Sequence, residues 1–233
     1  MQAQDAATTY FFKLWEWIET NVRTVVIGAG IVGVAAVLLA YYFWRQNEME
    51  ITAGEALTQT LVSPSPNDDI GQRANEYLKI AADYPDTQAG GRALMLGAAT
   101  LFSNGKYPEA QAEFRKYLNE YPSGPFSAPA TLGVASCFDA QGKTDLAADA
   151  YQRVISGFSD PNVVDAAKFA LAKIDEQRGK LTDAENFYEE VARDNPNSQL
   201  GSEAMLRIIQ LKPKLPAFPT VNPSASFNPN TQP

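Results

Sequence analysis

A six-residue pattern returns at an interval of 37: Gly105-Lys106-Tyr107-Pro108-Glu109-Ala110, Gly142-Lys143-Thr144-Asp145-Leu146-Ala147 and Gly179-Lys180-Leu181-Thr182-Asp183-Ala184. A chain repeating at this interval folds as stacked copies of one supersecondary unit, each hiding its apolar face against its neighbours. In every copy an aromatic (Phe114, Tyr151, Tyr188) follows the alanine by four positions, one helical turn on. Pro122 and Pro196 stand twelve beyond the alanines of their units, where they stop the second helix; the middle unit has Ser159 there and Pro161 two later. An offset of 37 back from Tyr121-Pro122 gives Tyr84-Pro85, with Tyr77 in the place of Phe114, so a degenerate unit precedes the three clear ones. Ala98, Ala135 and Ala172 on first helices, and Ala110, Ala147 and Ala184 on second helices, are expected where paired helices come closest. The glycines are expected to end the first helices.

The other constraint is an apolar run, Thr24 to Trp44, of 21 residues without a charge and bounded by Arg23 and Arg45. As a helix it spans about 31 Å, matching a hydrocarbon core of about 30 Å. Tyr10, Phe11, Phe12, Trp15 and Trp17 lie on one side and Tyr41, Tyr42, Phe43 and Trp44 at the other, as interface-seeking aromatics should. Residues 8–23 read as a short amphipathic helix. The run exceeds the apolar part of a signal peptide and no small-x-small site ends it, so it is expected to remain as an anchor. Lys13 and Arg23 before it, against Arg45 just after, favour an internal N-terminus and an external C-terminal domain.

Inside the run, Gly28-Ala29-Gly30-Ile31-Val32-Gly33 matches the dinucleotide-binding fingerprint. That fingerprint needs a strand before it and a second strand ending in an acid about 20 residues on. Glu48 and Glu50 fall near that distance, but the segment after Arg45 reads as helix. A dinucleotide-dependent oxidoreductase is therefore the remote alternative, and the glycines are expected instead at a membrane-helix packing face. Composition narrows the chemistry further. The chain has no histidine, which removes the commonest general base and metal ligand. Cys137, the single cysteine, sits among small apolar residues and is expected to be buried and structural. A net charge of −8 without a Lys/Arg run argues against nucleic acid. No catalytic residue, cofactor or metal is expected, and the protein is not expected to be an enzyme.

The repeat pattern resembles the tetratricopeptide repeat: a two-helix unit with a small residue in its first helix, Gly at the turn, Ala and an aromatic in the second and Pro at the exit. The expected fold is all-α, an N-terminal transmembrane helix followed by a tetratricopeptide-like α-solenoid. The segments are 1–23 (N-terminal, with the aromatic helix), 24–44 (span), 45–211 (repeats) and 212–233, a tail with six prolines expected to be disordered or partly polyproline II. Within 45–211 the degenerate unit runs to 87, the repeats lie near 88–124, 125–161 and 162–198, and 199–211 is a capping helix. Gln46 to Val62 is expected to continue the membrane helix and to supply the first helix of the degenerate unit.

The short aromatic helix (Phe12 to Trp17), one span, Phe43-Trp44-Arg45 at its exit and an Ala-rich lead into the repeats are similar to the YfgM family. That resemblance implies a single-pass protein of the bacterial inner membrane, N-terminus cytoplasmic and C-terminal domain periplasmic, associated with the Sec translocon and a periplasmic chaperone. It implies a non-catalytic adaptor or scaffold whose partners are proteins or peptides and, through the span, the lipid bilayer; the alternative is a self-associating membrane scaffold, a homo-oligomer packed through Gly28, Gly30 and Gly33. Such solenoids bind along a concave face of first helices, here expected to expose Arg92, Met95, Phe102, Leu132, Asp139, Phe169, Lys173 and Gln177. The basic and asparagine clamp of related co-chaperones is missing, its positions being Met95 and Ala99.

Overall fold

The computed structural model describes residue 17 and residues 19–62 and 70–212. Most of the amphipathic helix expected over 8–23, and the Pro-rich tail beyond Lys212, lie outside the described residues. Among these residues there is no strand. The first long element, α1 (Val22–Val62), is one uninterrupted helix of 41 residues. Its N-terminal half stands clear of the rest of the protein and is long and apolar enough to cross a membrane. Its C-terminal half turns apolar side chains inward, burying Ala53 and Leu57. The apolar segment and the first solenoid helix are therefore one rod, with no joint at residue 44 or 45. Gly28, Gly30 and Gly33 lie within the helix, and a Cβ added at any of them would face open space. The strand–turn–helix geometry that the dinucleotide fingerprint requires is not built around them.

Among the described residues four helix pairs and one further helix follow the repeat. With the C-terminal half of α1, α2 (Ile70–Asp83) forms the degenerate unit; then come α3 (Gln88–Ser103) and α4 (Tyr107–Glu120), α5 (Ser127–Ala140) and α6 (Thr144–Gly157), α7 (Pro161–Gln177) and α8 (Leu181–Asp194), and α9 (Gln199–Leu211). Consecutive helices from α2 onward pack on one another, which makes a solenoid and not a bundle around one centre. Among the described residues three apolar clusters succeed one another along it: the first from Ala53 to Cys137, the second around Tyr151 and Val154, the third around Tyr188 and Ile208. Ala98, Ala135, Ala172, Ala110, Ala147 and Ala184 are each 0% exposed, so no larger side chain fits without separating the helices.

The turns inside the pairs explain the glycines. Gly105, Gly142 and Gly179 have φ of 75°, 71° and 75°. At each, the glycine N–H returns to the carbonyl three residues back (Phe102, Asp139, Glu176), and the following lysine N–H to the one five back (Leu101, Phe138, Asp175). This is a Schellman stop, which needs a residue without Cβ in the left-handed region. Pro85, Pro122 and Pro196 each follow the end of a second helix. Pro161 differs from expectation: it opens α7, behind an N-cap in which Asp160 accepts from the Asn162 N–H, and does not close α6.

Candidate functional site

A groove of about 480 Å³ lies where α1 meets the first clear repeat. That volume is within the range of peptide- and ligand-sized sites. One wall is α1, through Gly54, Leu57, Thr58 and Leu61; the other is Tyr117 of α4 and its C-cap Tyr121, with Pro125 and Phe126. The start of α3 forms the floor, with Arg92 exposed at its edge.

Each wall is fixed by polar contacts. Glu50 on α1 accepts the Gln88 N–H at 2.7 Å and the Ala89 N–H at 3.0 Å, so a carboxylate from one helix caps the N-terminus of another. Gln46 donates to the Asp86 carbonyl at 2.7 Å. Thr87 caps α3 in the ordinary way, accepting from the Gly90 N–H at 2.8 Å. On the far wall Tyr117 and Tyr121 stack with ring centroids 5.0 Å apart, and the Phe126 N–H donates to the Tyr117 hydroxyl. Tyr121 donates to the Pro85 carbonyl. Burial, helped by Glu120 and Asp86, pushes the Tyr121 phenol up to about 12, so it remains a donor at any working pH.

The eight residues expected on the concave face separate into different settings. Arg92 lies in the groove. Met95, Leu132 and Phe169 share one register, 37 residues apart. Their side chains turn toward the core: Met95 and Leu132 are half-buried against their units, and Phe169 is 7% exposed with its ring edge-on to Tyr188 at 5.2 Å. The expectation that Phe169 is exposed is thus corrected: a large aromatic at this register fills the space between the two helices of its unit. Phe102 packs edge-on to Tyr107, and Asp139 is half-buried. Lys173 and Gln177 are exposed on α7, two repeats from the groove. Tyr117, Tyr121 and Phe126 were not singled out from the sequence as site residues, and Glu50 was weighed there only as an acid for the dinucleotide fingerprint. The one visible signal was the recurrent Tyr-Pro, read there only as a helix exit.

Other clusters are structural. Lys168 reaches Glu190 at 2.8 Å, Asp194 at 3.4 Å and Asp165 at 3.9 Å, tying α7 to α8. Burial disfavours its ammonium, but hydrogen bonds and charge from Glu190 and Asp194 outweigh that and hold the amine above its ordinary value. Cys137 is 0% exposed and burial pushes its thiol up to about 11, so the nucleophilic thiolate is suppressed. Among the described residues no group of His, Cys, Asp and Glu is arranged to hold a metal ion.

The sequence profile of the tetratricopeptide repeat-like domain matches residues 15–153, and that of the tetratricopeptide repeat matches 140–199. No curated protein matches the chain. A putative kinesin light chain from Podosopora anserina with nearly identical TPR-like repeats superposes with a TM-score of 0.50 at 13% identity, over 73% of this chain and 87% of its own. The type III secretion translocator chaperone SycD of Yersinia enterocolitica superposes with a TM-score of 0.45 at 22% identity, over 53% and 83%. With the profile spanning more than half of the sequence and the helix pairs stacked at its repeat, the chain belongs to the tetratricopeptide repeat-like domain family.

Proposed function

We propose that this protein is a non-catalytic adaptor, held in a bilayer by residues 24–44, whose solenoid receives a segment of another protein in the groove between α1 and α4. The observation that carries the reading is the continuity of α1, exposed and apolar in its first half and part of the groove in its second. Glu50 lies six residues beyond Trp44, about 9 Å at helical rise, so the groove opens close to the membrane surface. Its aromatic and aliphatic walls suit apolar side chains, and Arg92 suits a carboxylate at one end. The resemblance to YfgM proteins and the charge balance around the span favour the bacterial inner membrane with the solenoid in the periplasm, serving secretion, chaperone or envelope-assembly machinery.

A photocrosslinking amino acid in place of Arg92, tested in intact membranes, should yield adducts with one or a few proteins. The same group at Lys173 should yield fewer. Equal adducts at both positions, or none at 92, overturns the groove as the binding site. Protease treatment of spheroplasts should degrade 45–211; full protection reverses the orientation.

A further inference from the structure

Past the end of α1, the exposed large hydrophobic side chains among the described residues are Leu146 and three neighbours on α9: Met205, Leu206 and Ile209, at 52%, 60% and 58% exposure. The last helix of a solenoid normally keeps its outer face polar, because nothing stacks on it. Here α9 is apolar on two faces. Ala204, Ile208 and Leu211 are buried on the inside, while Met205, Leu206 and Ile209 share the outside within an arc of about 100°. A further layer is needed to finish the solenoid.

We propose that this layer is the protein's own Pro-rich segment, Leu215 to Val221, folded back across α9. Two observations select it over other occupants. The first is register: Leu215, Phe218 and Val221 recur every third residue, interleaved with Pro213, Pro216 and Pro219. A polyproline II helix has three residues per turn, which puts the three apolar side chains on one face of a segment whose ordering costs little entropy. Reach is the second. The segment begins three residues after Lys212, about 9 Å of extended chain, and Ile209 lies three residues before it, about 4.5 Å along α9. A second copy is a poorer fit, since three side chains offer a few hundred Å², below the roughly 800 Å² per partner of a stable interface.

Methionine oxidation reads the covering directly, because a covered thioether reacts slowly with peroxide. In the full-length protein Met205 should oxidise slowly. The double variant Leu215→Ser, Phe218→Ser should oxidise several-fold faster, as should a chain ending at Lys212, while Thr220→Ala should match the parent. These changes lie outside the helices, so the solenoid folds in each and its helical circular dichroism checks this. Equal rates in parent and double variant overturn the proposal. So does protection of Met205 that disappears on dilution, which identifies a second copy as the cover. Neither result bears on the groove near α1, whose crosslinking is a separate measurement.

Discussion

Cys137 and Lys168 show how burial decides the chemistry of a single side chain. The thiol is fully enclosed and its pKa is raised to about 11, so at neutral pH it is neither ionised nor reachable. Alkylation by iodoacetamide should be undetectable in the folded protein and appear in denaturant; labelling without denaturant contradicts the burial of α5. Lys168 is the cation among three carboxylates, one of them the 3%-exposed Asp165, which also accepts from Asn195 at 2.5 Å. Its replacement, Lys168→Met, leaves Asp165 without its cation and should cost about 1–2 kcal/mol, because Glu190 and Asp194 are partly solvated. The pH dependence has a fixed sign. An amine held above its ordinary value of 10.5 contributes stability present below that value and lost as pH rises through the raised one. Thermal unfolding of parent and variant should thus differ at neutral pH and converge in strong alkali; a constant gap would assign the loss to packing.

Among the elements, the helix stops and starts carry the repeat, and they were unequally legible. Gly105, Gly142 and Gly179 announce themselves because a Schellman stop depends on one residue type at one position. Gly142→Ala, strained at a φ of 71° with space around it, should cost about 1–2 kcal/mol. The starts are less visible. Thr87 and Ser198 make the same cap three repeats apart, each accepting from a glycine N–H three residues on and donating to the carbonyl three back. At Gly90 and Gly201 a Cβ would drive into the carbonyls of Tyr84 and Asn195. Gly201→Ala should therefore cost about 3 kcal/mol, more than Gly142→Ala, and calorimetry of the two variants tests that order. The intervening units do not repeat this cap: α5 starts without a side-chain cap and α7 starts from Asp160, so a period of 37 could not reveal it. The concave face was misread in part for a related reason. Periodicity aligns Met95, Leu132 and Phe169 correctly, but the direction of that register, inward to the partner helix, depends on the crossing of two helices.

For the whole molecule the decisive feature is that α1 belongs at once to the apolar segment and to the solenoid. Sequence could suggest this from the helical pattern after Arg45, but not the two contacts that lock it, since Gln46 to Asp86 and Glu50 to Gln88 span 40 and 38 residues. The groove is legible only after that lock is seen, because its walls come from two different units of the repeat. Rigidity follows from the same contacts. A helix without a break transmits the direction of its apolar half to the repeats, so the groove holds a set height and azimuth relative to that half. Asn47 is exposed and sits between the apolar half of the rod and the half that joins the solenoid. Proline there removes a backbone donor and clashes with the preceding turn, costing about 3 kcal/mol locally and kinking the helix. In Asn47→Pro the solenoid from α2 onward should keep its helical signal, since its stacking does not depend on that turn. Spin labels at Val32 and Gln177 should report a narrow distance distribution in the parent and a broad one in the variant. A broad distribution already in the parent would mean that the rod does not orient the solenoid, and would overturn the proposed fixed place of the groove near a bilayer.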